Sequence, residues 1–203
     1  MRVRNHRLTN DAEEPYSFVA SPNIYHNADG TETELFPRLL VVHFTAGVSS
    51  LGWLTSPLSK ASAHLLITRC GQIIQMVPFN RCAWHAGSKS VWKGRVNCNL
   101  FSIGFEMENL GKMHRDAGGK WVSWQGVPAP DSEVVEAVHK NEHEMAGWHK
   151  YTPDQIDAVT QAAKAVVAAY GLEIVGHEDV LPEVKVDPGP AFDMEALRKA
   201  VAW

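Results

Sequence analysis

The chain has 203 residues, of which 45% are hydrophobic and 21% are charged, a composition that predicts a soluble globular protein with one domain over residues 1–203. The formal net charge of −4 comes without any basic run or stripe, which argues against a nucleic-acid partner. The basic N-terminus is not followed by an apolar stretch, and no segment approaches the ~18 apolar residues of a membrane helix, so we expect cytoplasmic synthesis and no membrane partner.

The first half of the chain alternates irregular segments with short apolar runs. Residues 1–37 are polar and irregular, and we predict an N-terminal arm packed on the surface without a strong element. Leu39–Phe44 is apolar apart from its histidine, which is typical of a strand buried on both faces. A short helix is predicted over Ser49–Thr55. The runs His64–Arg69 and Gln72–Val77 flank a Cys-Gly dipeptide and predict a hairpin.

The second half begins with a strand predicted over Leu100–Glu108. Residues 110–151 lose periodicity and gain glycine, proline and histidine, and we interpret them as an insertion whose expected role is substrate contact. Within this insertion, Lys120–Gln125 predicts a small hairpin arm and Asp131–Glu144 predicts a short helix. Leu172–Val175 is a further apolar run of strand length.

The clearest helix lies between the insertion and that last strand. Thr152 is a good N-cap, Pro153 suits the first helical position, Gln155 completes a capping box and Gly171 ends the helix. A last helix is predicted over Asp193–Ala202. Because strands and helices are mixed without strict alternation, we predict an α/β fold with a mixed central sheet flanked by helices. The apolar stripe of the first helix comprises Ile156, Val159, Ala163, Val166, Val167 and Tyr170.

Two histidines and one aspartate are candidate metal ligands. His43 lies at the end of an otherwise apolar strand, and His177 lies just past the strand Leu172–Val175. Asp187 follows in a loop whose prolines can fold it back toward His177. Together the three side chains would form a zinc site with one open position, as catalytic zinc requires. Taken singly, each histidine also has an ordinary interpretation as a hydrogen-bonded core residue.

Two further residues fit the chemistry of such a site. Glu106 lies near the end of the strand Leu100–Glu108 and is a candidate general base that takes a proton from the attacking water. Lys185 lies two residues before Asp187 and is a candidate cation for the oxyanion of a tetrahedral intermediate. The alternative interpretations are a carboxylate and an ammonium group that are only solvated.

A rival motif lies in the insertion. His139, Glu142 and His143 match the pattern H-x-x-E-H, which in one class of zinc peptidases places two histidines on one helix face. The segment is hydrophilic, and such short matches arise by chance in a chain with 10 histidines. We therefore favour the first ligand set.

Several tryptophans lie in loop-like sequence, where exposed aromatic side chains often mark a binding face and where indoles can stack on sugar rings. Packing of these loops onto the core is the alternative explanation. The residues concerned are Trp84, Trp92, Trp121, Trp124 and Trp148.

Six blocks in this order resemble the zinc-dependent N-acetylmuramoyl-L-alanine amidases of the second type. That family includes recycling enzymes for anhydro-muropeptides, phage amidase lysozymes and peptidoglycan recognition proteins. The blocks cover most of residues 38–108 and 152–200. They are Leu39–His43, Ser62–His64, Gly71–Phe79, Ala83–Gly87, Phe101–Glu108 and Gly176–Asp193.

The resemblance implies a peptidoglycan-recognition-protein-like amidase fold, with Zn²⁺ held by His43, His177 and Asp187 in a surface groove. It also implies that Glu106 is the catalytic base and Lys185 the transition-state cation. The reaction implied is hydrolysis of the amide between the lactyl group of N-acetylmuramic acid and L-alanine. The expected partner is therefore peptidoglycan or a muropeptide.

Trp84 and His85, in one of the six blocks, are expected to bind substrate. So is Asn97, which stands near the position of an arginine that is thought to hold a stem-peptide carboxylate in the recycling enzymes. Phe44 also departs from the recycling branch, as does the length of the insertion 110–151. These differences favour polymeric peptidoglycan as the substrate.

The remaining departures from the recycling branch flank the catalytic lysine, where Val184 and Val186 replace an arginine and a threonine. We expect a monomer that acts as a phage or prophage lytic amidase on the cell wall. A cytoplasmic recycling amidase and a peptidoglycan-binding module without catalysis are the alternatives.

Overall fold

The structure is a computed structural model that describes residues 1–202. None of the helices within these residues has both the length and the apolar composition needed to cross a membrane. The helices are Leu51–Leu54 (α1), Pro153–Tyr170 (α2), His177–Val180 (α3) and Met194–Val201 (α4). The strands are Arg2–Arg4 (β1), Arg7–Thr9 (β2), Ser17–Phe18 (β3), Leu39–Phe44 (β4), Leu65–Ile67 (β5), Ile73–Gln75 (β6), Val91–Trp92 (β7), Arg95–Val96 (β8), Ser102–Met107 (β9), Lys112–Arg115 (β10), Trp121–Ser123 (β11), Pro128–Ala129 (β12), Val134–Val138 (β13), Met145–His149 (β14) and Glu173–Gly176 (β15).

The central sheet has six strands in the order β15-β4-β9-β5-β6-β3. All neighbouring strands are parallel except the hairpin pair β5 and β6, so the predicted mixed sheet is confirmed. Because β15, β4 and β9 run in the same direction, their carboxyl ends meet at one edge of the sheet, where open α/β sheets bind ligands. The register pairs His43 with Glu106 across β4 and β9.

The two faces of the sheet are covered differently. Leu40 and Val42 of β4 pack with Val159 and other residues of α2 in the largest hydrophobic cluster, to which α4 also contributes. Leu39 and Val41 point to the opposite face, where a cluster includes residues from the loops and α3. Since side chains alternate along a strand, His43 lies on this second face.

Helix α2 begins and ends at the predicted positions. Thr152 and Gln155 form the capping box, and Gly171 adopts the left-handed conformation that ends the helix. The buried stripe is rotated from the predicted one, because Ile156 is 39% exposed whereas alanines face the sheet. Small side chains let the helix approach the sheet closely. Its buried residues are Gln155, Ala158, Val159, Ala162, Ala163, Ala165 and Val166.

The N-terminal segment is more ordered than predicted. β1 and β2 form an antiparallel hairpin, and β3 adds to the edge of the central sheet beside β6. Leu8 is fully buried, and its backbone N–H donates to the side chain of Gln75. Strands of two or three residues are too short to show a period in the sequence.

The segment 110–151 forms a separate antiparallel sheet of five strands in the order β12-β11-β10-β14-β13. The helix predicted over Asp131–Glu144 is wrong, because residues 131–133 form a single 3-10 turn and β13 follows. Val134, Val135 and Val138 are β-branched residues that favour a strand, and all three belong to β13. The predicted arm Lys120–Gln125 contains β11, which pairs with both β10 and β12.

Candidate active site

The carboxyl ends of β4 and β15 bring three expected ligands together. His43 Nδ1 lies 2.9 Å from His177 Nδ1 and 3.0 Å from Asp187 Oδ2. His177 Nδ1 lies 3.0 Å from the same carboxylate oxygen. All three residues are buried. One ligand atom from β4 and two from the segment 177–187 therefore face a common point.

The chemistry of this donor set fits zinc, which binds imidazole nitrogen and carboxylate oxygen. Burial lowers the pKa of His43 to about 4, with His177 adding to the effect, so His43 is neutral at pH 7, as a metal ligand must be. Burial alone would raise the pKa of Asp187, but the two histidines outweigh it and hold that pKa below its ordinary value. The site thus offers two imidazole nitrogens and one carboxylate oxygen to a metal ion.

Glu106 lies beside this cluster on the same face of the sheet, as its pairing with His43 requires. Its Oε2 atom is buried and has no hydrogen-bond partner among the described residues. Burial and the carboxylate of Asp187 raise the pKa of Glu106 well above its ordinary value, while Lys185 acts in the opposite direction. Glu106 and Lys185 both line the cavity described next.

A cavity of about 390 Å³ opens over the cluster. Trp84 lines this cavity, and so does Trp53, which is 59% exposed and is not among the tryptophans singled out from the sequence. Trp53 lies on α1, whose four residues are too few to reveal a binding face in the sequence. The lining residues are Phe44, Thr45, Ala46, Ser50, Trp53, Leu54, Ala61, Ser62, Trp84, His85, Glu106, His177, Val184, Lys185, Val186 and Asp187.

A scan against protein families matches residues 33–190 to the family described as N-acetylmuramoyl-L-alanine amidase. The chain belongs to this family. It is 34% identical over 143 residues to the 1,6-anhydro-N-acetylmuramyl-L-alanine amidase AmpD of Salmonella typhimurium, an alignment that covers 70% of this chain and 58% of the relative. The chain thus spans little more than half the length of that relative.

Two solved structures of the family share the fold. A crystal structure of selenomethionine AmpD has a TM-score of 0.66 and 27% identity, with 100% of both chains covered. The amidase AmiD from Escherichia coli, solved with the substrate anhydro-N-acetylmuramic acid-L-Ala-D-γ-Glu-L-Lys, has a TM-score of 0.61 and 30% identity. That comparison covers 91% of this chain and 61% of AmiD. The amidase fold expected from the resemblance is therefore confirmed.

The other expected substrate residues have different surroundings from Trp84. His85 lines the cavity, but its Nδ1 faces His43 Nε2 at 3.0 Å. Asn97 lies outside the cavity, and its side-chain amide donates to the hydroxyl of Tyr25 at 3.3 Å. Asn97 adopts a left-handed backbone conformation at the start of a 3-10 turn.

The tryptophans of the insertion divide into core and rim residues. Trp121 and Trp148 are buried. Trp124 is 68% exposed, and its indole N–H donates to the carbonyl of Ala46 at 2.7 Å. Ala46 lines the cavity, so the insertion reaches the cavity rim through Trp124. Trp92 lies elsewhere and donates to Glu173.

The H-x-x-E-H motif forms no metal site within the described residues. His139 is buried and lies 2.6 Å from Glu178 Oε2, whereas His143 is exposed. No helix carries the two histidines, because β13 ends at Val138 and β14 begins at Met145. In residues 1–202, His43, His177 and Asp187 are the one group that could hold a metal ion.

Sequence reasoning missed two residues that pack against His85, whose ring in turn contacts the candidate ligand His43. Ser102 and Gly104 share the face of Glu106 because they precede it at a spacing of two along β9. A Cβ atom at Gly104 would lie 2.4 Å from the ring of His85. The alternation of β9 was the available signal, but it does not say which loop side chain packs on that face.

Proposed function

We propose that the chain hydrolyses the amide between N-acetylmuramic acid and L-alanine in a zinc-dependent reaction. The observation that carries the proposal is the convergence of His43, His177 and Asp187 on one point, with Glu106 and Lys185 lining the same cavity. The retention of a candidate base and cation beside the ligand set favours an enzyme over a binding module without catalysis.

His43, His177 and Asp187 would hold the zinc ion, which supplies Lewis acidity toward water and the substrate carbonyl when bound. Glu106 takes the proton from the water that adds to the amide carbon. The same carboxyl then returns the proton to the nitrogen as the C–N bond breaks, and the stem peptide leaves with a free amino group on its L-alanine. Lys185 stabilises the negative oxygen formed when water adds.

Polymeric peptidoglycan is the substrate we propose. Asn97 stands at the position expected to replace a carboxylate-binding arginine, and its side-chain amide is hydrogen-bonded to Tyr25. This position therefore does not favour binding of a free stem peptide. Trp53 and Trp124 add exposed indoles at and beside the cavity, which suits a longer glycan. We accordingly propose a lytic role in which the enzyme acts on the cell wall.

The second candidate substrate is a soluble anhydro-muropeptide. It is favoured by the complex of the similar enzyme AmiD with anhydro-N-acetylmuramic acid-L-Ala-D-γ-Glu-L-Lys. In that case the chain would be a recycling enzyme, and the exposed indoles at the rim would make little difference to turnover.

Zinc-loaded protein should be incubated separately with purified sacculi and with a soluble anhydro-muropeptide. We expect release of stem peptides with a free L-alanine amino group from the sacculi, at a rate that falls when a chelator removes the metal. Activity on the soluble compound alone would replace the lytic role with the recycling role. Binding to sacculi without release of any new amino terminus would refute the proposed hydrolytic activity.

A further inference from the structure

The segment His85–Ala86 contacts both candidate ligand histidines at their Nε2 atoms. His85 Nδ1 lies 3.0 Å from His43 Nε2, and the carbonyl oxygen of Ala86 lies 3.1 Å from His177 Nε2. The side-chain oxygen of Asn99 accepts from the backbone N–H groups of His85 at 3.0 Å and Ala86 at 2.7 Å. A single buried amide therefore holds the segment in place.

The hydrogen bonds of Ser102 decide which nitrogen of His85 carries the hydrogen. The Ser102 hydroxyl donates to the carbonyl of Cys98 at 2.6 Å, so its oxygen faces His85 Nε2 as an acceptor at 3.1 Å. The carbonyl oxygen of Ser102, which can only accept, lies 3.3 Å from the same nitrogen. A neutral His85 therefore has its hydrogen on Nε2 and its lone pair on Nδ1.

This assignment extends to the ligands. Because His85 Nδ1 accepts, His43 Nε2 donates, and the lone pair of a neutral His43 lies on Nδ1. His177 Nε2 donates to the carbonyl of Ala86, so its lone pair also lies on Nδ1. These two Nδ1 atoms are the ones that face each other and Asp187. Metal-ligating histidines usually donate their second N–H to such an acceptor.

We propose that His85 is a positioning residue of the metal site. Together with the Ala86 carbonyl it orients both imidazoles with the Nδ1 lone pairs turned to the metal. Burial supports this role, because His85 and Ser102 are both buried and the His85 ring occupies the space that a Cβ at Gly104 would need. The inference rests on the zinc centre of the proposed function but requires nothing of the substrate.

Zinc affinity, measured by competition with a chelator, tests the proposal without any assay of turnover. We expect His85→Ala to weaken zinc binding about 10–100-fold. His85→Asn keeps an acceptor near the position of Nδ1 and should bind zinc more tightly than His85→Ala. Ser102→Ala leaves the Ser102 carbonyl to accept from His85 and should cause the smallest loss. Equal affinities of His85→Ala and the unmodified protein would overturn the proposal.

His64→Asn is the matched control. His64 is buried on the same sheet with its ring centroid 5.8 Å from that of His85, but it bonds Gly104 N–H and the Arg81 carbonyl instead of a ligand. Asparagine retains an acceptor for Gly104, so zinc affinity should not change. A loss as large as that of His85→Ala would assign the effect to packing and overturn the proposal.

Nuclear magnetic resonance of the unmodified zinc-free protein gives a readout that no folding defect can affect. Long-range 1H–15N correlations distinguish the two tautomers of a histidine. We expect His85 to carry its hydrogen on Nε2 and to present Nδ1 to His43 as an acceptor. A hydrogen on Nδ1 of His85 would refute its proposed positioning role, even if the protein proved inactive toward every muramyl substrate.

Discussion

A buried carboxylate oxygen without a hydrogen-bond partner costs free energy, and Glu106 Oε2 is such an atom among the described residues. Burial and Asp187 raise the pKa of Glu106 well above its ordinary value. Enzymes often raise the pKa of a carboxyl group in this way to suit it to proton transfer near neutral pH. The surroundings of Glu106 thus agree with the role of general base.

Glu106→Gln should lower kcat by a factor on the order of 10² or more because glutamine cannot accept the proton. The metal content should stay unchanged, since Glu106 is not a proposed ligand. Steady-state kinetics and metal analysis check both expectations. Glu108→Gln is the control, because Glu108 follows β9 and accepts from Ser50 N–H. A normal kcat for Glu106→Gln would remove Glu106 from the mechanism.

Asp187→Ala should instead weaken the metal itself, because it removes the one carboxylate of the proposed ligand set. We expect zinc content after dialysis to fall together with activity. If zinc content were unaffected, the ligand set proposed from His43, His177 and Asp187 would be wrong.

His64 predicts a pH dependence of stability. Burial lowers its pKa to about 4, from an ordinary 6.5. Below pH 6.5 the unfolded chain binds a proton at His64 and the folded chain does not, so this stability is fully present above pH 6.5 and is lost as the pH falls toward 4. The difference corresponds to roughly 3 kcal/mol.

Urea unfolding of the zinc-free protein between pH 7 and pH 4 should therefore show a steeper loss of stability than unfolding of His64→Asn. The other histidines are common to both proteins, so the comparison isolates the effect of replacing His64. Parallel pH curves would show that His64 contributes nothing to acid sensitivity.

The capping box of α2 is a local contribution to the free energy of unfolding that a single substitution can measure. Thr152→Ala should lower the free energy of unfolding by about 1 kcal/mol because the N–H of Gln155 loses its acceptor. Denaturant unfolding measures this loss. Thr160→Ala, in the exposed part of the same helix, should cost less. Equal losses at both positions would show that the cap contributes little.

The insertion sheet contacts the segment that follows β15 through buried His139 and exposed Lys140, which both meet the buried carboxylate of Glu178. His139 lies 2.6 Å from Glu178 Oε2, and Lys140 lies 2.8 Å from Glu178 Oε1. Glu178 follows the candidate ligand His177 and also accepts from Gly189 N–H. The contact therefore joins a β-sheet outside the central fold to the segment that carries two candidate ligands.

His139→Ala should lower the free energy of unfolding by about 1–3 kcal/mol, because it leaves a buried carboxylate oxygen of Glu178 with one donor fewer. The proposed zinc stoichiometry of one per chain should not change. His143→Ala, at the exposed end of the H-x-x-E-H motif, should change neither quantity. A second zinc ion lost on either substitution would restore the peptidase-like interpretation of this motif.

The insertion, residues 110–151, forms one part of the cavity rim. Trp124 is fixed by its hydrogen bond to Ala46 while most of its indole remains exposed. Trp124→Ala should slow the digestion of sacculi several-fold and leave hydrolysis of a soluble muropeptide nearly unchanged. Trp92→Ala, which removes an indole bonded to Glu173, is the control. An equal effect on both substrates would exclude a role for Trp124 in recognising the polymer.

The elements that the sequence predicted best are those whose burial produces a simple pattern. β4 is an apolar run buried along its length, and α2 has both a capping box and a terminal glycine. The insertion lacked such a pattern, because the burial of β13 mixes partly exposed and exposed positions after one buried valine. Its strands are stabilised by pairing with neighbours that are distant along the chain, which no local pattern reports.

The amino-acid sequence alone indicated the family and the candidate site residues, because six ordered blocks and the residue types of a zinc site can be read without coordinates. Only the tertiary structure decided that His85 Nδ1 faces His43, that Asn97 is hydrogen-bonded to Tyr25, and that Trp124 reaches Ala46. Each of these contacts joins segments that neither share an element nor follow a common period. Their partners are chosen by how the loops pack over the sheet.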